Sequence, residues 1–388
     1  MLKTLVAYTN EVDDVNHAIK MITAQLDIQR NIYKNAIGII TCHYEFIDSG
    51  VVKALCEALP FDIVGTTSIL QGTNNESGMF LLTLMVLTSD DISFTATLSP
   101  PLLPFLKQSI ETAYKEAVSQ ENNTPPSLLF VFAPVSSELS GDNYVDFLSQ
   151  ISDNVPCFGT LAVDDTSNFE NCYMIFNGEH YRNCIGLISV FGNISPRFFI
   201  AMISPNNILE NGALVTKSEG PILKGVNGRP AIEYFENLGL AEAIEERYSL
   251  SSLPIILDYN DGSPQVSKVF ISITADNDIL CAGTIPEGST MNIGVFNKDD
   301  VLYTTGQAVE DTLEHIENAS CMLVYSCITR SVSLDADVQT ELDLVKNKVE
   351  KKLPFMMAYS NGEICPTKIN NAKAINRFHN NALIICLL

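Results

Sequence analysis

Hydrophobic and polar positions follow the same pattern three times along the chain. An apolar run that ends in small polar or sulfur-containing residues occupies positions 36–43, 128–134 and 322–330. A stretch with helical periodicity follows each run and leads to a proline among apolar residues. These prolines are Pro60, Pro156 and Pro354. Such repeats indicate duplicated structural units that stack or share sheets, so the pattern predicts three strand–helix–strand units.

The alternation of strand-like and helix-like segments predicts an α+β (mixed α/β) protein whose sheets are covered by helices. The best candidate for a domain boundary is Ser204-Pro-Asn-Asn207, where turn-forming residues cluster. It divides the chain into an amino-terminal domain, residues 1–204, with two repeat units, and a carboxy-terminal domain, residues 205–388. We expect the second domain to contain a β-meander over residues 268–296 and the third repeat unit.

Charge and composition exclude several classes of function. The 388 residues include 46 acidic and 23 basic residues, a net charge of -23, and no cluster of lysine or arginine. Such a field repels nucleic acid and anionic membranes, so neither is an expected partner. The apolar segments at the two ends are too short for a signal peptide or a membrane span. The ten cysteines lie mostly within apolar runs, which is typical of reduced, buried thiols and predicts a cytoplasmic protein.

Three motifs near the carboxyl end carry a resemblance to a known family. They are Ser326-Cys327-Ile-Thr-Arg330, Tyr359-Ser360-Asn-Gly-Glu363 and Phe378-His379-Asn380. This stretch closely resembles the carboxy-terminal domain of the FIST (F-box and intracellular signal transduction) family. Upstream, segments 226–231 and 280–288 look like the entry helix and meander of that family, and residues 1–204 resemble its amino-terminal domain. Two departures are Met357, where the family often has glycine, and Leu70-Gln71-Gly72 in place of a Gly-Glu step.

The resemblance implies a sensory module that binds a small ligand, with amino acids as suggested ligands. Some members of the family bind haem and sense nitric oxide. We therefore expect a non-enzymatic protein that signals to a partner protein in trans, since the 388 residues contain no recognisable output segment. The expected ligand-binding residues are Ser326, Cys327, Arg330, Tyr359, Ser360, Glu363, His379 and Asn380.

Arg330 is the most suggestive of these residues, because basic residues are scarce and it follows a buried strand. Ligand contacts in α/β proteins cluster at such strand ends, and a guanidinium can hold a carboxylate with two parallel hydrogen bonds. The alternative is an internal salt bridge to Glu363 or another acid. Glu363 could accept a hydrogen bond from a ligand amino group, cap a helix, or pair with Arg330 or Arg377.

His379 could contact a ligand or coordinate haem iron, or it could donate to a backbone carbonyl while Asn380 holds the turn. We predict no cofactor, with haem as the alternative. Cys327, His379 and Glu363 together would suit a cysteine-dependent hydrolase, but no local signature surrounds Cys327.

Two further pairs in the amino-terminal half carry weaker chemical signals. Cys42-His43 lacks the ligand spacing of a zinc site, and adjacent side chains of a strand point in opposite directions. Asp164-Asp165 could bind a cation or cap a helix, and such acidic loops are ordinarily solvated. We therefore predict no metal at Cys42-His43 and favour a local structural role for Asp164-Asp165.

Overall fold

The computed structural model describes residues 1–166, 168–240, 253–334, 337–370 and 373–388. The helices in these ranges are α1 (Val15–Leu26), α2 (Ile28–Asn31), α3 (Glu45–Asp48), α4 (Val51–Ala58), α5 (Leu106–Gln120), α6 (Gly141–Ile151), α7 (Ala231–Asn237), α8 (Lys298–Leu313), α9 (Ile328–Val332) and α10 (Thr340–Val349). Short 3-10 turns cover Pro205–Asn207 and Ile316–Asn318. None of the helices in these ranges is long and apolar enough to cross a membrane.

The strands of the first half are β1 (Lys3–Thr9), β2 (Asn35–Cys42), β3 (Ile63–Thr67), β4 (Gln71–Thr73), β5 (Ser77–Gly78), β6 (Leu82–Ser89), β7 (Ser93–Leu98), β8 (Leu128–Ala133), β9 (Cys157–Leu161), β10 (Met174–Phe176), β11 (Glu179–Tyr181), β12 (Gly186–Phe191) and β13 (Arg197–Ala201). Those of the second half are β14 (Ile208–Glu219), β15 (Ile222–Val226), β16 (Arg229–Pro230), β17 (Ile255–Asp258), β18 (Val266–Lys268), β19 (Phe270–Ile273), β20 (Ile279–Cys281), β21 (Thr290–Gly294), β22 (Met322–Cys327), β23 (Phe355–Ser360), β24 (Glu363–Asn370), β25 (Lys373–His379) and β26 (Leu383–Leu387).

Three equivalent units confirm the predicted repeat and the α+β fold. Each unit contributes four strands to one sheet, in the orders β1-β6-β2-β3, β7-β12-β8-β9 and β13-β26-β22-β23. In each, the last two strands are parallel and the other neighbours are antiparallel. Helices connect each parallel pair, as parallel strands require. These helices are α3–α4, α6 and α9–α10.

The three units exchange hairpins around a closed ring. The hairpin β10–β11 of the second unit extends the first sheet by pairing with β3. The hairpin β24–β25 of the third unit pairs with β9 of the second sheet. The hairpin β4–β5 of the first unit pairs with β23 of the third sheet. Each of these three sheets therefore has six strands, two of which come from another unit.

Both faces of each sheet are buried, which is why the strands are continuous apolar runs rather than alternating ones. In β8, Phe130 and Phe132 point into a central core shared by the three sheets. The alternate residues Leu129 and Val131 pack under helices α5 and α6 on the other face. Because successive side chains of a strand point to opposite faces, one run of sequence supplies two different cores.

An additional sheet, formed by residues 208–294, is inserted into the third unit with the order β18-β17-β21-β14-β15-β20-β19. The β-meander predicted for residues 268–296 is wrong. Strand β21 pairs with β14 and β17, and two strands separate it from β20. The reason is the length of β14, which pairs with β21 through its first half and with β15 through its second half.

Two local features differ from simple expectation. The predicted amino-terminal domain, residues 1–204, includes β13, but this strand pairs with β26 and belongs to the third unit. The small and polar residues Gly65-Thr-Thr-Ser68 are typical of a loop, but most of the segment lies within β3. Gly65 is needed there because a Cβ atom would lie 1.7 Å from the carbonyl oxygen of Ile40 on the neighbouring strand.

Candidate functional site

The loops that follow the parallel strands of the three units meet at one end of the protein. The strand ends are equivalent by register, because Cys42 is opposite Thr67, Ala133 is opposite Leu161, and Cys327 is opposite Ser360. Hydrogen bonds connect each loop to another. Ser68 Oγ donates to the Tyr359 carbonyl at 2.9 Å, and Val163 N donates to the Thr67 carbonyl at 3.2 Å. Asn361 N donates to the Leu161 carbonyl at 3.1 Å. We call the region where these three loops meet the junction, and the motifs of the third unit lie there.

Arg330 lies in α9, just after β22, and its side chain is wholly buried. Its Nε donates to Glu341 Oε1 at 2.8 Å, and its Nη2 donates to Thr305 Oγ1 at 2.7 Å and to the Val301 carbonyl at 3.1 Å. The guanidinium also lies over the ring of Phe296, 5.2 Å from its centroid. The internal salt bridge considered from the sequence is therefore present, and its partner is Glu341.

Glu341, in the first turn of α10, binds several motif residues together. Its Oε1 accepts a hydrogen bond from Thr305 at 2.6 Å. Its Oε2 accepts from Ser326 Oγ at 2.7 Å and from the Tyr359 hydroxyl at 2.8 Å. Burial, and then the Glu341 charge, raise the pKa of Tyr359 well above its usual value, so this hydroxyl stays a hydrogen-bond donor. The sequence analysis missed Glu341, although it interrupts the apolar stripe of its helix.

Glu363 begins β24 and is wholly buried. Its Oε1 accepts a hydrogen bond from the Ser360 hydroxyl, whereas Oε2 has no hydrogen-bond partner. Neither of the arginines considered from the sequence pairs with it, since Arg330 binds Glu341 and Arg377 binds Asp261. Burial raises the pKa of the Glu363 carboxyl well above its usual value, which favours the protonated form.

Cys327 ends β22 beside this carboxyl, and its thiol is buried. Burial, and then the nearby Glu363, raise the pKa of the thiol, so the sulfur is protonated. The side-chain hydroxyl of Thr329 donates a hydrogen bond to the sulfur at 3.1 Å. A neutral buried thiol is a poor nucleophile, and this geometry gives no support to a cysteine-dependent hydrolase.

His379 and Asn380 lie at the end of β25, and both side chains are buried. The Nε2 atom of His379 lies 3.2 Å from the Cys365 carbonyl, while Nδ1 and the Asn380 Oδ1 have no hydrogen-bond partner. Burial, and then the positive charge of Lys268, lower the pKa of His379 to about 3, so the ring is neutral. The contact to a backbone carbonyl is the structural role considered from the sequence. Haem coordination by this residue remains a prediction.

A buried ion pair, also missed by the sequence analysis, fixes the site to the additional sheet. Lys268 Nζ binds both carboxylate oxygens of Asp142 at 2.9 Å and donates to the Phe378 carbonyl at 2.7 Å. Burial alone would lower the pKa of Lys268, but the charge and hydrogen bond of Asp142, together with Tyr259 and Asp146, outweigh burial and the pKa is raised. A Cβ at Gly283 would lie 2.5 Å from Asp142 Oδ2, and one at Gly362 would lie 2.3 Å from the Phe378 ring. Glycine at these positions therefore allows the close contact.

Within the acidic pair of the second unit, Asp164 has a local structural role. The Asp164 carboxylate accepts hydrogen bonds from Thr166 Oγ1 at 2.7 Å and from Asn171 N at 2.6 Å, so it closes its own loop. Across the part of the chain that the structure describes, no three His, Cys, Asp or Glu side chains are grouped so as to hold a metal ion.

Comparisons with known proteins cover most of the chain. The FIST N domain matches residues 36–229, and the FIST C domain matches residues 231–366, which include the first two motifs and end before Phe378-His379-Asn380. These matches meet at residues 229 and 231, whereas the boundary predicted from turn residues is at 204. No curated protein sequence matches the chain significantly.

Similarity to solved structures is distant. A cyanuric acid hydrolase from A. caulinodans is 9% identical over 100% of this chain and 99% of its own, with a TM-score of 0.41. PurLQS from Thermotoga maritima is 10% identical over 100% of this chain and 72% of its own, with a TM-score of 0.22. Similarity at this level supports no inference about activity.

Proposed function

We propose that this chain, which belongs to the FIST family of signal-transduction sensory domains, binds a small polar ligand with an ammonium group, such as an amino acid. The binding site would lie at the junction of the three units, and its occupancy would be passed to a partner protein in trans. The observation that carries the proposal is the Glu363 carboxyl, which is wholly buried and has one oxygen without a hydrogen-bond partner.

Glu363 has no counter-ion of its own among the nearby basic residues. Arg330 is bound to Glu341, Lys268 to Asp142, and Arg377 to Asp261. A buried carboxylate without a counter-ion is unfavourable, so the group holds its proton. A ligand ammonium could take the place of that proton and form a charge-assisted hydrogen bond with Oε2. The unpartnered Asn380 Oδ1, on the adjoining strand end, could accept a second hydrogen bond from the same ammonium.

The structure offers less support for a residue that would bind the carboxylate group of an amino-acid ligand. Two nitrogens of Arg330 are fully engaged, and Nη1 makes only a 3.5 Å contact with the Asn381 carbonyl. A ligand carboxylate would therefore compete with Glu341 for the guanidinium. The ammonium is thus the part of the ligand that the site selects, and we expect simple amines to retain part of the affinity.

Signalling would follow from the position of the site between structural units. Glu363 belongs to a hairpin of the third unit that completes the second sheet. Asn380 N donates to the Ser267 carbonyl of the additional sheet. Because Glu363 is wholly buried, ligand entry requires these elements to move. A ligand that binds the opened arrangement better shifts the equilibrium toward it and changes the surface offered to a partner.

Isothermal titration calorimetry against a panel of amino acids and simple amines tests the proposal. We expect heat from at least one member and its loss in Glu363→Gln, while Glu57→Gln, an exposed glutamate of α4, behaves as the wild type. Titrations in phosphate and in Tris should differ by the heat of about one released proton, because the carboxyl ionises on binding. No heat from any member, together with an unchanged melting temperature, would overturn the proposal.

A further inference from the structure

A second group of chemically distinctive residues lies at the strand ends of the first unit, around His43. This side chain is 1% exposed, and its Nε2 makes no hydrogen bond although Asp165 Oδ2 lies 3.5 Å away. Its ring packs against those of Tyr44 and Phe80, with centroids 4.4 and 4.7 Å away. Phe80 is 52% exposed. A buried polar atom therefore points at a carboxylate beside an accessible aromatic surface.

Carboxylates surround this aromatic group. Partial burial raises the pKa of the Tyr44 phenol, and the charges of Asp165, Glu45, Asp48 and Asp164 raise it further. The net charge of the chain is -23, so the overall field also favours cations near the surface. The local charge is thus strongly negative at the place where the aromatic rings are accessible.

The elements that carry these side chains are held in place. Gln71 Nε2 donates to the carbonyls of Met79 and Leu81, on both sides of Phe80. The Asp164 carboxylate closes the loop that carries Asp165. A rigid, preformed arrangement loses less conformational entropy when a ligand binds.

We propose that Tyr44, Phe80 and Asp165, supported from beneath by the buried His43, form a binding site for an organic cation, of the quaternary or primary ammonium class. An ammonium group is attracted to the faces of aromatic rings and to the Asp165 carboxylate at short range. A metal ion suits the site less well, because the described side chains here do not form a group of three or more metal ligands. This site is separate from Glu363 and does not depend on ligand binding at the junction.

Saturation-transfer NMR with choline and with its uncharged isostere 3,3-dimethyl-1-butanol provides the test. We expect choline to bind the wild-type chain and the isostere to bind at least several-fold more weakly. Phe80→Leu and Asp165→Asn should each weaken choline binding by roughly two- to fivefold, the range expected for an exposed cation–π contact. Phe105→Leu, at a phenylalanine that is 63% exposed next to α5, is the matched control and should have no effect.

Each alternative result decides against the site. Equal binding of choline and the isostere would mean that charge is not recognised. Equal weakening in Phe80→Leu and Phe105→Leu would mean that the contact is non-specific, and no saturable binding of choline would also overturn the proposal. Glu363→Gln must leave choline binding unchanged, since a loss there would place the ligand at the junction instead. Melting temperatures of the Phe80→Leu, Asp165→Asn and Phe105→Leu variants should match the wild type, which excludes unfolding as the cause.

Discussion

Replacing Glu363 by glutamine should stabilise the protein, and the gain should grow with pH. The carboxyl is protonated in the folded state because burial raises its pKa well above 4.5, whereas in the unfolded chain it ionises above that value. The folded state then holds more protons than the unfolded state, so the contribution of this carboxyl to wild-type stability falls as pH rises from 4.5 towards its folded-state pKa. Glutamine has a similar shape and cannot ionise, so the variant lacks this loss.

The size of this stability difference follows from the one proton that Glu363 binds in the folded state and releases on unfolding. Stability changes by at most about 1.36 kcal/mol per pH unit for one group. From about pH 5.5 to about pH 7.5, the advantage of Glu363→Gln should therefore grow by up to ~2.7 kcal/mol. His379 and the other titrating groups are common to both chains, so they cancel in the difference.

Differential scanning calorimetry of both chains across this pH range measures the effect, with Glu57→Gln as the control for losing an exposed carboxylate. We expect the difference in melting temperature to widen steadily for Glu363→Gln and to stay constant for Glu57→Gln. A constant difference for Glu363→Gln would show that the carboxyl is already ionised in the folded state, and a narrowing one would mean that the ionised form is stabilised there. Either result would refute the account of this site.

Three further predictions concern the buried groups. Arg330→Met and Glu341→Leu should each destabilise the protein by roughly 3–5 kcal/mol, because each single change leaves a buried charge without its partner. The double variant should lose less than the sum of the two single losses. Denaturant unfolding measures these free energies, and a loss in the double variant equal to the sum would contradict the prediction. Iodoacetamide should modify Cys56 before it modifies Cys327, because Cys56 is the one partly exposed cysteine of the ten. Peptide mass spectrometry measures the order of modification, and early modification of Cys327 would reveal an accessible thiol. Gly283→Ala should lower the melting temperature markedly, since its Cβ would separate the buried ion pair beside it, and an unchanged temperature would show that the pair can shift at little cost.

The repeat and the fold class were predictable because they depend on patterns within short segments. Apolar runs and helical periodicity recur three times, and they mark the first strand of each parallel pair and the helices that follow it. The hairpin exchange was not predictable from the same signals. The pairing of β4 with β23, for example, joins residues 71–73 to residues 356–358, and no local pattern in either segment identifies its partner.

The candidate site shows the same division. The motifs identified Arg330 and Glu363 as residues in unusual surroundings, and the structure places both at the junction of the units. The partner of Arg330 could not be chosen among 46 acidic residues, because helix α10 brings Glu341 to it only after the unit has folded. The pair of Lys268 and Asp142 is separated by 126 positions, so its formation depends on how the additional sheet packs against the second unit.

The ring of exchanged hairpins has a consequence for synthesis of the chain. The hairpin of residues 71–78 leaves the ribosome early, but its partner strand, residues 355–360, is among the last segments to be made. The second sheet likewise waits for residues 363–379. Until then, β9 is an open edge that can pair with another chain. The two FIST segments therefore cannot mature one after the other, and separately expressed halves should associate or aggregate rather than fold alone.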